Sequence, residues 1–282
     1  MKFKINSQLK YNIADFSTFI LNISVAKNNS QKVLSEKLQI EPQLPVEEYT
    51  SPTLGNRYLR LNVPQGNLEI NYQATVEISY LEQNPNSIKE IPPAELPLDS
   101  FYFLYPSRYC QSDRLLRMAA NEFGELLPDY SRVTAICNWI YEKVIYLSGS
   151  TDSQTSAYDT ATERAGVCRD FAHLGIAFCR ALNIPARFVS CYAYQLQPPD
   201  FHACFEAYLG NRWYIFDPTR LVSEKGIIRI GTGKDAADVA FATIFGPAHL
   251  EAINIVVEML DEQGLSTTAK AMPAAGCAYA IG

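Results

Sequence analysis

The stretch Gly166-Val167-Cys168-Arg169-Asp170-Phe171-Ala172-His173 places a cysteine where a turn of small residues runs into an apolar segment. Across residues 168–182 the apolar side chains recur mostly at three- and four-residue spacing, which predicts a buried helix that begins at Cys168. The first turn of a helix presents unpaired backbone N–H groups and a partial positive charge, and both favour a thiolate. Because the thiolate is the form that attacks carbonyl carbon, Cys168 is a candidate nucleophile.

A cysteine in an apolar helix has a simpler explanation. Most free cysteines are small buried hydrophobic residues without a chemical role, and Cys168 taken alone fits that interpretation. A histidine and an aspartate further along the chain separate the two interpretations, because the sequence constrains their relative positions.

Strand signals follow the predicted helix, which ends at Asn183-Ile184-Pro185. Residues 186–194 are rich in β-branched and aromatic side chains and predict one strand. Residues 202–209 and 212–217 predict two more, and they flank Gly210-Asn211, which is a two-residue hairpin signal. The sequence therefore predicts an antiparallel hairpin that carries one histidine and one aspartate.

The register of this hairpin decides whether its histidine meets its aspartate. If the turn sets Leu209 opposite Arg212, then Cys204 lies opposite Asp217. His202 then lies on the same face as Asp217, one diagonal step away, with the two Cβ atoms about 7–8 Å apart. That distance lets a carboxylate bond an imidazole nitrogen, whereas a slip of one residue would put the two side chains on opposite faces. We therefore expect an Asp217–His202 pair.

Together these residues resemble the core of the transglutaminase-like superfamily, and its bacterial members in particular. The similarity covers residues 100–258, and the first hundred residues more loosely. The segments that carry it are the opening stretch, Ile184-Pro185-Ala186-Arg187, His202-Ala203, Asp217-Pro218-Thr219, Gly233-Lys234-Asp235-Ala236-Ala237-Asp238-Val239, Tyr130-Ser131-Arg132 and Tyr146-Leu147-Ser148-Gly149-Ser150-Thr151. One position departs from the family pattern, since many members have tryptophan where this chain has Cys204.

The resemblance implies a fold and a set of roles. The fold would be α+β, with a papain-like core in which a nucleophile helix packs on an antiparallel sheet. Cys168 would be the nucleophile, His202 the base and acid, and Asp217 the residue that orients the histidine. The activity implied is amide hydrolysis or acyl transfer through a thioester, and we expect a cysteine protease or amidase. A protein-crosslinking transglutaminase and a non-catalytic binding module that keeps the fold are the alternatives.

Composition limits the partners that we expect. The chain has 282 residues, of which 48% are hydrophobic and 19% charged, enough for two folded domains. The 24 basic and 30 acidic residues give a net charge of −6, which argues against binding nucleic acid or an acidic membrane surface. The expected partners are therefore small molecules or peptides, and the resemblance implies a peptide or protein amide as substrate. The sequence assigns no oligomeric state.

Cysteine usage indicates the compartment and excludes some site types. The 7 cysteines include no C-x-x-C pair, so neither a disulfide framework nor a zinc site is favoured, and we expect no metal and no cofactor. The N-terminus has neither a signal peptide nor a membrane span, since Asn22 and Ser24 interrupt its most apolar run. These features predict a cytoplasmic protein.

The pattern of the chain changes near a proline-rich connector at residues 91–97. Before it, short β-rich segments with alternating apolar residues predict an antiparallel β-sandwich in residues 1–98. After it, helical periodicity at 113–127 and 132–145 leads into the predicted catalytic domain, residues 99–282.

Other polar residues near the predicted helix have weaker claims to the site. His173 follows Cys168 by five positions, a rotation of about 140° net on a helix, so we expect a structural histidine. Tyr158 and Asp159 precede the cysteine closely enough to reach the cleft. The segment 231–234 lacks a complete phosphate-binding motif and predicts a plain turn.

Overall fold

The structure is a computed structural model, and it describes residues 1–261, 263–264, 266–267 and 277–281. The strands are β1 (Lys2–Ile13), β2 (Ser17–Leu21), β3 (Gln31–Glu41), β4 (Glu47–Thr50), β5 (Arg57–Val63), β6 (Gly66–Ile78), β7 (Leu81–Gln83), β8 (Ile145–Tyr146), β9 (Ala165–Gly166), β10 (Ala186–Ala193), β11 (His202–Leu209), β12 (Arg212–Phe216), β13 (Ile227–Gly233), β14 (Ala242–Phe245), β15 (Ala248–Leu260), β16 (Ser266–Thr267) and β17 (Ala278–Ile281). The helices are α1 (Ser112–Phe123), α2 (Tyr130–Lys143), α3 (Ala157–Glu163), α4 (Cys168–Ala181) and α5 (Ala236–Val239). None of the helices in these described ranges is long and apolar enough to cross a membrane.

Two antiparallel sheets form the N-terminal β-sandwich. One has the strand order β16-β15-β1-β6-β3, and the other has the order β14-β2-β5-β4. Alternate residues of β1, such as Phe3, Ile5 and Leu9, are buried, because a pleated strand turns every second side chain to one face. They share one core with Phe19 and Leu61 of the second sheet. The predicted β-sandwich is therefore confirmed.

The chain returns to this sandwich after β13. Strand β15 pairs with β1 over its whole length, from Lys2 opposite Leu260 to Ile13 opposite Ala248. Strand β14 likewise pairs with β2. Both sheets of the sandwich thus contain segments from beyond residue 98, and the domain boundary that we expected there stays a prediction.

The second core consists of a six-stranded antiparallel sheet, in the order β13-β10-β11-β12-β17-β7, and helices packed on it. Helix α4 lies against β11, and its face is apolar, with Phe171, Leu174 and Phe178 buried. Gly175 permits this close approach, because a Cβ there would lie 2.6 Å from Cε1 of Phe205. The α+β, papain-like fold class is confirmed.

The predicted hairpin forms in the predicted register. Gly210 and Asn211 have φ of +50° and +65°, the pair of left-handed residues that a type I′ turn requires. Leu209 pairs with Arg212 and Phe205 with Phe216, so the register is even as expected. Position 204 and position 217 therefore lie at the same level of the hairpin.

Two local predictions need correction. Helix α2 begins at Tyr130, two residues earlier than expected, because the Asp129 carboxylate accepts a hydrogen bond from the Ser131 N–H and caps the helix. The turn predicted at 231–234 is wrong, because Gly231 lies within β13. Glycine is needed there for space, since a Cβ would lie 2.8 Å from Oδ1 of Asn22.

Candidate active site

Cys168 is the first residue of α4, where the sequence predicts it. The backbone at this end is held by Asp170, whose Oδ2 accepts hydrogen bonds from the Val167 N–H (3.0 Å) and the Thr151 hydroxyl (2.8 Å). The Asp170 carboxylate is fully buried and also pairs with Arg169 at 2.9 Å. This network fixes the first turn of the helix. Cys168 is partly exposed and reachable by a ligand.

His202 and Asp217 form the pair expected from the hairpin register. Nε2 of His202 lies 2.9 Å from Oδ2 of Asp217, and both residues are buried. The other carboxylate oxygen accepts hydrogen bonds from the Thr219 N–H (3.0 Å) and the Thr219 hydroxyl (2.7 Å). Since an ionised carboxylate only accepts hydrogen bonds, Asp217 holds the proton of neutral His202 on Nε2 and leaves Nδ1 as the base.

The charge state of His202 depends on its neighbours. Burial alone would lower the pKa of His202, but the charge and hydrogen bond of Asp217, followed by the contact with Cys168, raise it well above 6.5. The thiol therefore lies close enough to the imidazole to interact with it. Nδ1 is buried without a hydrogen-bond partner among the described residues. This geometry suits transfer of the thiol proton to Nδ1.

Tyr146 also reaches the cysteine, and sequence reasoning assigned it no role. The short parallel pairing of β8 with β9 sets Tyr146 beside Gly166, and the Leu147 N–H bonds the Gly166 carbonyl at 2.9 Å. Burial raises the pKa of Tyr146 to about 12, and the charge of Cys168 adds to this rise, while a hydrogen bond from the Cys168 N–H opposes it. The phenol oxygen thus lies at the N-terminus of α4. The sequence signal was its place at the start of the segment Tyr146-Leu147-Ser148-Gly149-Ser150-Thr151, which resembles the family.

Tyr158 and Asp159 do not join the site. The Asp159 carboxylate accepts hydrogen bonds from the Ser156 N–H (2.9 Å) and the Ser156 hydroxyl (2.6 Å), which caps α3. The Tyr158 ring lies 3.5 Å from the guanidinium carbon of Arg114. Both residues therefore stabilise the segment before the catalytic helix.

Cys204, the departure from the family pattern, lies beneath the site and not in its wall. Its side chain is fully buried and packs with Val189, Cys191 and Ile215. Burial raises the pKa of the Cys204 thiol well above its usual value. Cys204 is therefore an unreactive core residue.

A cleft of about 920 Å³ borders Asp217. One wall comes from α2, through Thr134 and Asn138, and the other from the residues that follow β12, through Arg220 and Glu224. Neither Cys168 nor His202 lines this cleft. Asp217 is the one member of the Cys168, His202 and Asp217 group that does. Among the described residues no group of three or more His, Cys, Asp or Glu side chains could hold a metal ion.

His173 is buried on α4 in an apolar setting. Its Nε2 accepts a hydrogen bond from the Ala236 N–H at 3.1 Å, and its ring stacks on Tyr109 at 5.0 Å and contacts Phe188. Burial lowers the pKa of His173 to about 3. The residue is therefore neutral in the folded protein above about pH 3.

We expect His173 to make the protein sensitive to acid. Below about pH 6.5 the unfolded chain binds a proton at this residue and the folded chain does not, so stability falls as the pH falls from about 6.5 towards 3. His173→Gln should flatten the pH dependence of the unfolding free energy by about 1.4 kcal/mol per pH unit, measured by urea titration between about pH 4 and 6. His249→Gln, on the exposed β15, is the control. Equal slopes for wild type and His173→Gln would contradict the assignment.

A buried His–Asp pair lies beside a helix-terminal cysteine on an α+β, papain-like core, an arrangement that could serve nucleophilic cysteine chemistry. Comparison with known proteins then gives the family. The family described as "Bacterial transglutaminase, N-terminal domain" matches residues 1–99, and the family described as "Transglutaminase-like superfamily" matches residues 117–218. This chain belongs to the transglutaminase-like superfamily.

Three relatives align with most of this chain. The crystal structure named a "putative cysteine protease" from Cytophaga hutchinsonii is 45% identical, with a TM-score of 0.93, and the match covers 100% of this chain and 98% of that one. An uncharacterised protein of Mycobacterium leprae is 28% identical over 214 residues, which is 71% of this chain and 75% of that protein. An uncharacterised protein of Mycobacterium tuberculosis is 26% identical over 298 aligned positions, which cover 93% of this chain and 94% of that protein.

Proposed function

We propose that the protein is a cysteine-nucleophile amide hydrolase that acts on a peptide or protein amide. The observation that carries the proposal is the buried His202–Asp217 pair, bonded at 2.9 Å, next to Cys168 at the N-terminus of α4. A binding module that had lost catalysis would have no need of all three groups. The cytoplasmic location expected from the sequence stays a prediction.

The first half of the reaction forms an acyl-enzyme. Nδ1 of His202 takes the Cys168 proton, and the sulfur forms a bond to the amide carbon while the carbonyl electrons move to oxygen. The Cys168 N–H, at the positive end of the helix, donates to this oxyanion once it has exchanged its hydrogen bond to the Tyr146 phenol oxygen for one to the substrate. When the oxyanion collapses, the carbon–nitrogen bond breaks, His202 returns the proton to nitrogen, and an amine leaves.

The second half decides between the candidate activities. Water attacks the thioester with His202 as base, which releases a carboxylic acid and restores the thiol. A primary amine in place of water would instead make a new amide, and the protein would be a crosslinking transglutaminase. We favour water because the site offers no acidic, calcium-binding pattern among its residues.

We expect iodoacetamide to label Cys168 about tenfold faster than Cys277, the exposed cysteine that serves as an internal reference. Peptide mass spectrometry gives both rates in one sample, and His202→Ala should bring the Cys168 rate down to that of Cys277. The same protein is then incubated with dipeptide amides, with and without an added primary amine. Free acid in both samples supports the hydrolase, and an amine adduct as the main product supports the transglutaminase. Equal labelling rates for Cys168 and Cys277, together with no turnover of the dipeptide amides, would support the non-catalytic binding module.

A further inference from the structure

A second cavity, of about 390 Å³, lies between the β-sandwich and the catalytic sheet. The sandwich contributes residues from two loops, around Lys27 and Asn56, and the sheet contributes its face opposite α4. The lining residues are Ala26, Lys27, Asn28, Leu54, Gly55, Asn56, Arg187, Tyr208, Asn211, Arg212, Trp213, Arg229, Gly231 and Thr232. Four of these side chains carry a positive charge and none carries a negative charge.

Two of the four cations share one carboxylate: Arg229, which is buried, and Arg187, whose side chain is 16% exposed. Glu206 accepts a hydrogen bond from Nε of Arg187 at 2.7 Å and from Nε of Arg229 at 2.5 Å. Arg187, Arg229 and Glu206 form an arginine cluster with a net charge of +1. Arg229 is 1% exposed, yet its Nη1 and Nη2 atoms have no hydrogen-bond partner among the described residues. A buried guanidinium with unused donors is unfavourable unless an acceptor reaches it.

Two more cations lie at the rim of the cavity, where water and a ligand can reach them. Arg212 and Lys27 are exposed, and Lys27 also pairs with Glu36 at 2.8 Å. The Trp213 ring lies 4.2 Å from the guanidinium carbon of Arg187 and holds this arginine in place. The cavity is therefore lined by positive charge both at its rim, through Lys27 and Arg212, and at its buried end, through Arg229. The Trp213 ring lines it beside Arg187.

We infer that this cavity binds an oxyanion, the phosphate or carboxylate group of a small molecule. Arginine presents parallel N–H donors that match both groups, and a cavity lined by cations concentrates anions. The anion would offset the unpaired charge of the arginine cluster and bridge the sandwich and the sheet. The site is separate from the triad, because Glu206 lies four residues along β11 from His202, roughly 13 Å.

Binding is tested by calorimetry on the intact chain. Inorganic phosphate and citrate are the probes, and sodium chloride of matched ionic strength corrects for general screening. We expect saturable heat for at least one probe, together with a change in emission of Trp213, which lines the cavity. Trp139→Phe removes the other tryptophan so that the emission reports this cavity alone. Tighter binding of phosphate than of citrate identifies a phosphate ligand, and the reverse order identifies a carboxylate.

Rim variants localise the binding without disturbing the core. The double variant Lys27→Gln with Arg212→Gln should weaken probe affinity about tenfold or more, whereas Arg117→Gln, an exposed cation on α1, should leave it unchanged. Arg229→Lys tests the buried end of the cavity, and its folded state is checked by circular dichroism. No saturable binding beyond the sodium chloride control overturns the inference. Equal affinity in wild type and the rim variant also overturns it, because the anion would then bind elsewhere.

Discussion

Asp217→Asn is expected to lower kcat/KM on an amide substrate by about 10³–10⁴-fold while the protein stays folded. The amide group of asparagine can donate to Nε2 of His202, which would place the imidazole proton on Nδ1, the nitrogen that must accept the thiol proton. The variant also loses the negative charge that stabilises the protonated histidine beside the thiolate. Because the Thr219 contacts remain available to the oxygen of asparagine, the loop should keep its conformation.

Three measurements separate catalysis from folding in this variant. Turnover and thermal melts are recorded for Asp217→Asn and, as a matched buried control, for His173→Gln, which should keep most of its activity. The third measurement is stability against pH. The raised pKa of His202 stabilises the fold fully below about pH 6.5, and this contribution is lost as the pH rises through the folded pKa. Asp217→Asn should therefore cost more stability near pH 6 than near pH 9. Near wild-type turnover would rule out the proposed triad.

Glu206→Gln is expected to destabilise the protein by about 3–5 kcal/mol, the usual cost of removing one partner from a buried ion pair. Burial alone would raise the pKa of Glu206, but Arg229 and Arg187 hold it below its usual value, so the carboxylate is ionised. Glutamine keeps the shape of the side chain and removes the charge. The buried guanidinium of Arg229 and the partly exposed one of Arg187 then lack a counter-charge, and the β10–β11–β13 part of the sheet loses its central contact.

Urea unfolding, followed by circular dichroism, gives the size of this effect. Glu47→Gln is the control, because its ion pair with Arg60 is exposed and should contribute little. The Glu206 variant should be less stable at every pH above the normal glutamate range. A stability like that of wild type would show that the arginine cluster does not need its carboxylate.

The parts of the fold with local signals were predictable from the sequence. The Gly210-Asn211 turn fixes the hairpin because both residues adopt left-handed backbone, and this turn alone brings His202 and Asp217 onto one face. The start of α4 at Cys168 followed from its apolar periodicity. Each of these features depends on residues within about fifteen positions of one another.

Features that join distant segments were not predictable in the same way. Alternation in residues 253–259 indicates a strand, but nothing in it specifies β1 as the partner. Tyr146 reaches Cys168 only because β8 pairs with β9 across the intervening loop and α3. The arginine cluster had one signal in the sequence: Arg187 and Glu206 are opposite charges on two otherwise apolar strands. The structure sets these two residues directly opposite each other in the sheet.

The pairing of β1 with β15 has a consequence during synthesis. Strand β1, Lys2–Ile13, leaves the ribosome well before its partner β15, Ala248–Leu260. At about 5–20 residues per second, on the order of ten to fifty seconds separate them. Throughout that delay one edge of β1 offers unpaired N–H and C=O groups to any other strand, including that of a second nascent chain. The sandwich cannot be completed before β15 is synthesised, so the sandwich and the sheet that packs against α4 are completed together.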